Sequence, residues 1–164
     1  MRPTTTAGLF QHSLQTTDRW LKEITAQLGW ADQRKGYKAL RVTFHALRDR
    51  LPVNEAAQLS AQLPLVLRGI FWEGWNPAAD KPHHGTFAVE LHAGFRHNPE
   101  VDPEDVARAV FAVMTKEISA GEMDDVRSIV PQDMRDLMPA PGSQRCHRHE
   151  AAEAGSISAA HWGA

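Results

Sequence analysis

The amino-acid sequence predicts an all-α fold made of two tandem four-helix repeats packed into one helical-bundle domain. Residues 17–74, moved by 67 positions without a gap, fall on residues 84–141 with their apolar residues in register. The aligned pairs include Trp20 with Phe87, Ile24 with Leu91, Phe44 with Phe111, Leu47 with Met114, and Leu59 with Val126. Few pairs are identical, so the match preserves packing positions rather than catalytic residues. Apolar residues recur at helical spacing, and no segment shows the alternation typical of a strand.

The first repeat, residues 17–74, contains four predicted helices. Asp32 can cap the second helix, Gly29 can close the first, and Pro64 suits the first turn of the fourth. The second helix has apolar residues that step by three or four positions, which predicts one buried face. The four predicted helices are at about 17–28, 33–50, 53–62 and 64–73.

The second repeat, residues 84–138, follows the same plan. Asp102 and Pro103 form a strong helix start, and Ser119 with Glu122 has the spacing of a capping box. Gly and Pro among polar residues predict a linker, and segments without apolar periodicity predict disorder. The resulting divisions are a flexible N-terminal arm at 1–16, a linker at 75–83 and a disordered tail at 139–164.

Composition limits the functional class and the compartment. Residues 1–82 hold 11 Lys/Arg against 7 Asp/Glu, a net charge of +4, whereas residues 83–164 hold 7 against 13, a net charge of −6. This asymmetry favours contact between the halves, between subunits or with a polyanion, unless the surfaces are simply solvated. The single Cys146 suits a reducing compartment, and the polar N-terminus lacks a signal-peptide pattern. These features, with no apolar run long enough to cross a bilayer, predict a cytoplasmic protein without a membrane partner.

The densest local pattern is the run LPLVLRGIFWEGW at residues 63–75. It combines a leucine-proline pair, an arginine-glycine pair and an aromatic stretch that ends in glutamate-glycine-tryptophan. The run resembles the signature of the bacterial family known as domain of unknown function 2267, and the segments 44–51 and 131–137 also resemble that family. The resemblance covers roughly residues 14–138. It implies a helical fold and no particular activity.

Four residues of this run form the first candidate binding site: Arg68, Trp72, Glu73 and Trp75. An arginine beside the tryptophans could stack on them and pair with Glu73. One interpretation is a structural staple between the first repeat and the linker, and the other is a ligand pocket lined by the tryptophans. Arg135 occupies the equivalent position in the second repeat, which favours the staple.

The second candidate site is a basic ridge on the second helix. Its residues step by four, three, four and three positions, so they share one side of the helix. The ridge could contact phosphates, although no aromatic residue is interleaved for base stacking, and a solvated helix face is the simpler interpretation. Its members are Arg34, Lys38, Arg41, His45 and Arg48.

No residue pattern predicts a metal ion, a cofactor or a catalytic group. His92 and His97 are five positions apart and would not face one way on a helix, and Cys146 and the nearby histidines lie in the predicted tail. No nucleophile–base motif or glycine-rich phosphate loop occurs. The sequence therefore favours a protein that is not an enzyme, and no catalytic residue is assigned.

The leading functional hypothesis is a non-enzymatic helical interaction module that binds a protein partner or self-associates. The alternative is nucleic-acid or anionic-ligand binding through the basic ridge. A weaker alternative is a small-molecule enzyme that uses the region of Arg68, Glu73 and Trp75.

Overall fold

The computed structural model describes residues 6–78 and 85–142, which form eight α-helices. No strand occurs within those two ranges, so the predicted all-α class is confirmed. The helices are α1 Thr6–Gln27, α2 Gln33–Arg48, α3 Val53–Ala61, α4 Leu65–Trp72, α5 Phe87–Phe95, α6 Pro103–Glu117, α7 Ala120–Ile129 and α8 Gln132–Arg135.

The two long central helices begin at the caps that the sequence predicts. The side chain of Asp32 accepts a hydrogen bond of 2.9 Å from the N–H of Arg34 at the start of α2. Asp102 accepts one of 2.9 Å from the N–H of Glu104 at the start of α6. Each bond satisfies a backbone donor that a helix leaves unpaired at its N-terminus.

The start of α7 joins it to α3. Ser119 Oγ accepts from the N–H of Glu122 at 3.4 Å, which is one half of the predicted capping box. The backbone N–H of Ser119 instead donates to Gln62 Oε1 at 3.0 Å, and Gln62 Nε2 donates to Glu122 at 3.3 Å. The reciprocal bond of the box is therefore replaced by a contact between the two halves of the chain.

The prediction of a flexible arm over residues 1–16 is wrong for its larger part. Helix α1 begins at Thr6 rather than near Thr17, and both Ser13 and Thr16 are buried. The inward row of these added turns is made of Ser13, Thr16 and Thr17, so the sequence offers no apolar periodicity there. Small hydroxyl side chains can fill such positions by bonding to the helix itself, as Thr17 Oγ1 does to the carbonyl of Ser13 at 2.8 Å.

The core is shared by both halves of the chain, and α2 lies at its centre in contact with α1, α4, α5 and α6. Phe44 of α2 is fully buried between Trp20 of α1 and Phe71 of α4, with edge-on ring centroids 6.4 and 5.6 Å apart. In the second half, Phe87 stacks on Phe111 at 6.0 Å. Neither half alone would cover the apolar faces of α2 and α6.

Two of the four pairs of helix starts match the 67-residue offset, whereas α2 and α6 begin 70 residues apart and α1 and α5 begin 81 apart. Helix α3 begins at Val53 and α7 at Ala120, 67 residues apart, and α4 at Leu65 and α8 at Gln132 have the same separation. Helix α8 is only four residues long, whereas α4 has eight. That the two halves superpose as structural repeats stays a prediction.

Glycine permits close helix crossings at two points. A Cβ on Gly36 would lie 2.6 Å from Thr25 Cγ2 and 3.3 Å from the carbonyl oxygen of Leu21, where α2 crosses α1. A Cβ on Gly94 would lie 2.6 Å from Val42 Cγ1, where α5 crosses α2. Both distances are shorter than ordinary van der Waals contact, so the missing side chain brings these helices together.

Ion pairs between the halves account for part of the charge asymmetry. Among residues 6–78 and 85–142, three of them join a cation of the first half to a carboxylate of the second, and one runs in the opposite direction from Lys116 to Glu23 at 2.7 Å. The three are Arg19–Glu117 at 2.7 Å, Lys35–Glu100 at 3.5 Å and Arg50–Glu90 at 2.6 Å.

The prediction of a disordered tail from residue 139 is wrong for its first residues, 139–142. Arg127 of α7 donates to the carbonyls of Met138 and Pro139, at 3.1 and 2.7 Å. The chain is therefore held against α7 beyond α8, and residues as far as 142 are described. The remainder of the predicted tail, the start of the predicted arm and most of the linker lie outside the described residues.

Candidate functional site

The surface where α2 crosses the end of α4 brings together four of the nine predicted site residues, Arg41, Trp72, Glu73 and Trp75. We call it the aromatic face and define it by Tyr37, Arg41, Trp72, Glu73 and Trp75. Tyr37 and Arg41 are one helical turn apart on α2, and the other three lie at or just after the end of α4.

A chain of edge-on aromatic contacts connects this face to the core. Phe71 is buried, and its ring contacts that of Trp72 with centroids 5.2 Å apart. Trp72 in turn contacts Trp75 at 4.7 Å, and both tryptophans are half-buried. Because the two indoles touch each other, a flat ligand cannot lie between them. The geometry favours a packed, rigid apolar surface rather than the predicted pocket.

A salt bridge crosses the aromatic face. Arg41 Nε donates to the Glu73 carboxylate at 2.6 Å. This hydrogen bond raises the pKa of Arg41 and lowers the pKa of Glu73, so both groups stay charged at neutral pH. The face therefore presents a neutralised ion pair between aromatic side chains.

The prediction that Arg68 pairs with Glu73 is wrong. Arg68 points back along the chain and donates to three carbonyls at the end of α3, those of Ser60, Ala61 and Leu63, at 2.9, 3.0 and 3.2 Å. It has no ring contact with Trp72 or Trp75 among the described residues. Arg68 is thus a staple, as one interpretation proposed, but it joins α4 to α3 and is separate from the aromatic face.

Arg135 makes matching bonds in the second half. Its guanidinium donates to the carbonyls of Ser128 and Val130 at 3.5 and 3.0 Å. Ser128 and Val130 lie 67 residues after Ala61 and Leu63, two of the acceptors of Arg68. Both arginines therefore place positive charge at the C-terminal end of the preceding helix, where it interacts favourably with the helix dipole.

We expect Arg68→Ala and Arg135→Ala each to lower the free energy of unfolding by about 1–2 kcal/mol, because each removes charged donors from helix-end carbonyls. Chemical denaturation measures the change. Arg108→Ala is the control, since Arg108 makes only an exposed pair with Glu104 at 3.5 Å on the surface of α6. If Arg68→Ala is as stable as the parent while Arg135→Ala alone is destabilised, the staple assignment for Arg68 is wrong.

Most residues of the basic ridge form contacts with other helices of the protein. Arg41, His45 and Arg48 all lie against the end of α4, which has no basic residue in its own last turn. Lys38 donates to Asn98 at 2.7 Å and lies over the ring of Phe95. The ridge neutralises the C-terminal end of α4 and joins α2 to the second half; Arg34 is exposed, and the side chain of Arg41 is 42% exposed.

Arg48 is the most deeply placed of these cations, with 6% of its surface exposed. Its guanidinium donates to the carbonyls of Phe71 and Glu73, both at 2.9 Å, and to the Asp49 carboxylate at 2.8 Å. The prediction that Arg48 belongs to a surface ridge available to phosphates is therefore wrong. Its planar fork donates to carbonyls at the end of α4, where a helix leaves its last carbonyls without intrahelical donors.

His45 lies between Arg41 and Arg48 on α2, and its Nε2–H donates to the carbonyl of Ile70 at 2.8 Å. Burial is the main cause that lowers the pKa of His45, and the two arginines add to it, while the bond to Ile70 and the Glu73 carboxylate oppose it. His45 is therefore neutral in the folded state at pH values where it is partly charged in the unfolded state.

The stability that neutral His45 contributes is complete above its ordinary pKa of 6.5 and is lost as the pH falls through 6.5 towards the lowered value. We expect the parent to lose more stability than His45→Gln between about pH 8 and about pH 5. Glutamine keeps an Nε2 donor and does not titrate, so the difference between the two denaturation profiles isolates His45. Parallel profiles would show that the pKa of His45 is not lowered by folding.

Arg50 is an important residue that the sequence patterns did not single out. Its side chain is 7% exposed, pairs with Glu90 at 2.6 Å and lies 5.3 Å from the centre of the Phe87 ring. It also donates to the carbonyls of Ala46 and Gly85. Arg50 thus joins the end of α2 to the start of α5, and its only sequence feature is a cation beside the apolar seam of α2.

Within residues 6–78 and 85–142, no three His, Cys, Asp or Glu side chains gather closely enough to hold a metal ion. His92 and His97 are both exposed, and Cys146, His147 and His149 lie outside the described residues. Among the helices that the structure describes, none is long and apolar enough to cross a membrane.

Comparison with known protein families identifies the chain. Residues 17–137 match the model of the uncharacterized conserved protein family DUF2267. The chain belongs to the DUF2267 family. The match covers α2 to α8 and the second half of α1, so it includes the aromatic face of this DUF2267 protein and both arginine staples. A search of curated proteins found no match.

Proposed function

We propose that this DUF2267 protein is a non-enzymatic helical interaction module that binds a protein partner through the aromatic face. The observation that supports the proposal is the half-exposed pair of Trp72 and Trp75, placed beside Tyr37 and the Arg41–Glu73 ion pair. Trp, Tyr and Arg are the residues that most often dominate the energy of protein interfaces.

The rigidity of the face also supports binding. The indoles continue a chain of aromatic contacts from Phe44 through Phe71, so little side-chain freedom remains to be lost on association. The paired charges of Arg41 and Glu73 leave the centre of the face neutral. A partner with an apolar anchor and polar groups around it suits this chemistry.

Nucleic-acid binding by the basic ridge receives less support. Arg41, His45 and Arg48 are engaged with the end of α4, so phosphates would have to compete with contacts that hold the fold together. The enzyme hypothesis also receives little support, because Arg68 points to α3 while Glu73 pairs with α2. We also propose that the module acts in the cytoplasm of a bacterial cell, which the lone cysteine and the family resemblance support.

Quantitative co-purification from cell extract tests the proposal. We expect Trp75→Ala to reduce the recovery of a partner at least about tenfold, which corresponds to an interface residue worth at least ~1.4 kcal/mol. The matched control is Trp30→Ala, since Trp30 is also half-buried but lies in the turn between α1 and α2. Equal recovery with both variants would contradict the proposal.

Salt dependence separates the proposal from phosphate binding. Partner recovery through an apolar face should persist in high-salt washes, whereas binding through phosphate contacts weakens steeply with salt. Recovery of nucleic acid that is lost in salt and depends on Arg34 and Lys38 would support the basic-ridge alternative instead.

A further inference from the structure

The ring of His45 lies among the charged groups that join α2 to the end of α4. It is half-buried, and its Nε2–H donates to the carbonyl of Ile70 at 2.8 Å. Of the charged groups on the helices that pack against α2, those that act on the ring are Arg41 and Arg48 on α2 itself and Glu73 at the end of α4. A positive charge on His45 would therefore appear beside two guanidiniums and a single carboxylate.

The contacts around His45 differ in how easily they open. Arg48 is 6% exposed and donates to two backbone carbonyls at the end of α4, so it is held by the fold itself. His45 is also bonded to a backbone carbonyl. Arg41 and Glu73 instead meet through their side chains, which are 42% and 48% exposed. Because both can turn into solvent at little cost, their ion pair is the contact of this cluster that gives way when a charge is added.

Protonation of His45 acts on both members of this ion pair. Arg41 and His45 are four positions apart on α2, a spacing at which two like charges on a helix repel each other. The same new charge attracts the Glu73 carboxylate. The hydrogen bond from Arg41 lowers the pKa of Glu73, so the carboxylate stays charged while His45 titrates. The charged ring therefore competes with Arg41 for Glu73 and drives Arg41 towards water.

We propose that His45 is a pH-sensitive switch for the aromatic face, whose protonation in mildly acidic solution opens the Arg41–Glu73 ion pair and weakens the binding of the partner. This regulation rests on the proposed function of the aromatic face as a binding surface. With the pair open, an unpaired guanidinium lies beside Tyr37 and the two tryptophans in place of a neutral ion pair. A partner with an apolar anchor must then remove water from that charge without a matching carboxylate, which costs affinity.

The pH range of the switch follows from the surroundings of His45. Burial is the main cause that lowers the pKa of His45 in the folded protein, and the two arginines add to it. The ring is therefore neutral, and the ion pair closed, above the ordinary value of 6.5. Protonation of the folded protein takes place only as the pH falls below 6.5, which places the open state on the acidic side.

An NMR titration of the full chain between about pH 7.5 and about pH 5 tests the switch without a partner. We expect the Nε–H resonance of Arg41 to shift with the same midpoint as the ring of His45, because its bond to Glu73 is lost as the ring becomes charged. In His45→Gln the Arg41 resonance should stay in place, since glutamine keeps an Nε2 donor and does not titrate. His92→Gln is the matched control, because His92 is exposed on α5 and its removal should leave the Arg41 titration unchanged.

Recovery of the partner from cell extract at the two ends of this range tests the effect on binding. With the parent, recovery through the Trp75-dependent contact should fall on the order of threefold at the acidic end, the scale of one exposed ion pair. With His45→Gln it should be equal at both ends. An Arg41 resonance that does not move, or that moves equally in His45→Gln, would overturn the switch.

The failure of the switch and the failure of the proposed function give different results. Recovery that is independent of Trp75 at either pH would overturn the proposed function and, with it, the effect on binding. The Arg41 resonance would then still report whether His45 opens the ion pair. A Trp75-dependent recovery that falls equally in the parent and in His45→Gln would overturn the role of His45 and leave the proposed function in place.

Discussion

Phe44→Ala is expected to lower the free energy of unfolding by about 3–5 kcal/mol. The ring is fully buried and contacts Trp20 and Phe71 edge-on, so its removal leaves a cavity where α1, α2 and α4 meet. Thermal and chemical denaturation both measure the change. Phe111→Ala is expected to behave similarly, because Phe111 is equally buried and stacks on Phe87.

Val53→Ala serves as the comparison for Phe44→Ala, since Val53 is half exposed and its truncation should change stability by less than about 0.5 kcal/mol. If the Phe44 and Phe111 variants have the same melting temperature as the parent, the assignment of both rings to one shared core is wrong.

Arg48→Met is expected to cost about 2–5 kcal/mol. Methionine keeps an apolar stem but removes the donors that satisfy the carbonyls of Phe71 and Glu73. Arg48→Lys should recover only part of the loss, because one ammonium group does not reproduce the planar fork. Urea denaturation should rank the three proteins by stability, with the parent most stable, Arg48→Lys next and Arg48→Met least stable.

Arg34→Ala is the matched control on the same helix. Arg34 is exposed in the first turn of α2, where a positive charge is slightly unfavourable, so its removal should be neutral or weakly stabilising. Equal losses for Arg34→Ala and Arg48→Met would show that the basic ridge acts as one surface feature and that Arg48 has no special role.

Sequence patterns predicted those parts of the fold that depend on local chemistry. Asp32 and Asp102 cap helices because a side-chain oxygen near a helix start bonds to the next backbone donors, whatever the rest of the fold does. Gly29 and Gly74 end helices with positive φ angles of 67° and 68°, a conformation that glycine adopts without strain. The burial of Phe44 likewise follows from its place in the row of apolar residues along one side of α2.

Features that depend on contacts between distant helices could not be predicted. Glu73 is five residues from Arg68, yet it pairs with Arg41, 32 residues away, because α2 crosses the end of α4. The burial of Arg48 arises from the same crossing, and a polar side chain on an amphipathic helix gives no local indication of it. The early start of α1 was missed because Ser13 and Thr16 fill inward positions where apolar residues would have shown the helical period.

The ion pairs between the halves have a consequence for how the chain avoids misassembly. The apolar positions in 17–74 align with those in 84–141. The first half of one copy could therefore pair with the first half of another copy during folding. Exchange of this kind is a characteristic failure of chains built from similar units. Apolar packing alone would discriminate poorly against it.

Opposite net charges on the two halves penalise the wrong pairing. Two first halves would each bring a net charge of +4, and two second halves a net charge of −6, so either wrong pairing would combine two halves of the same net charge. The correct pairing instead places Arg19 beside Glu117 and Lys35 beside Glu100. Exposed pairs such as these add little to stability. Their contribution is to favour the pairing of a first half with a second half over the pairing of two like halves.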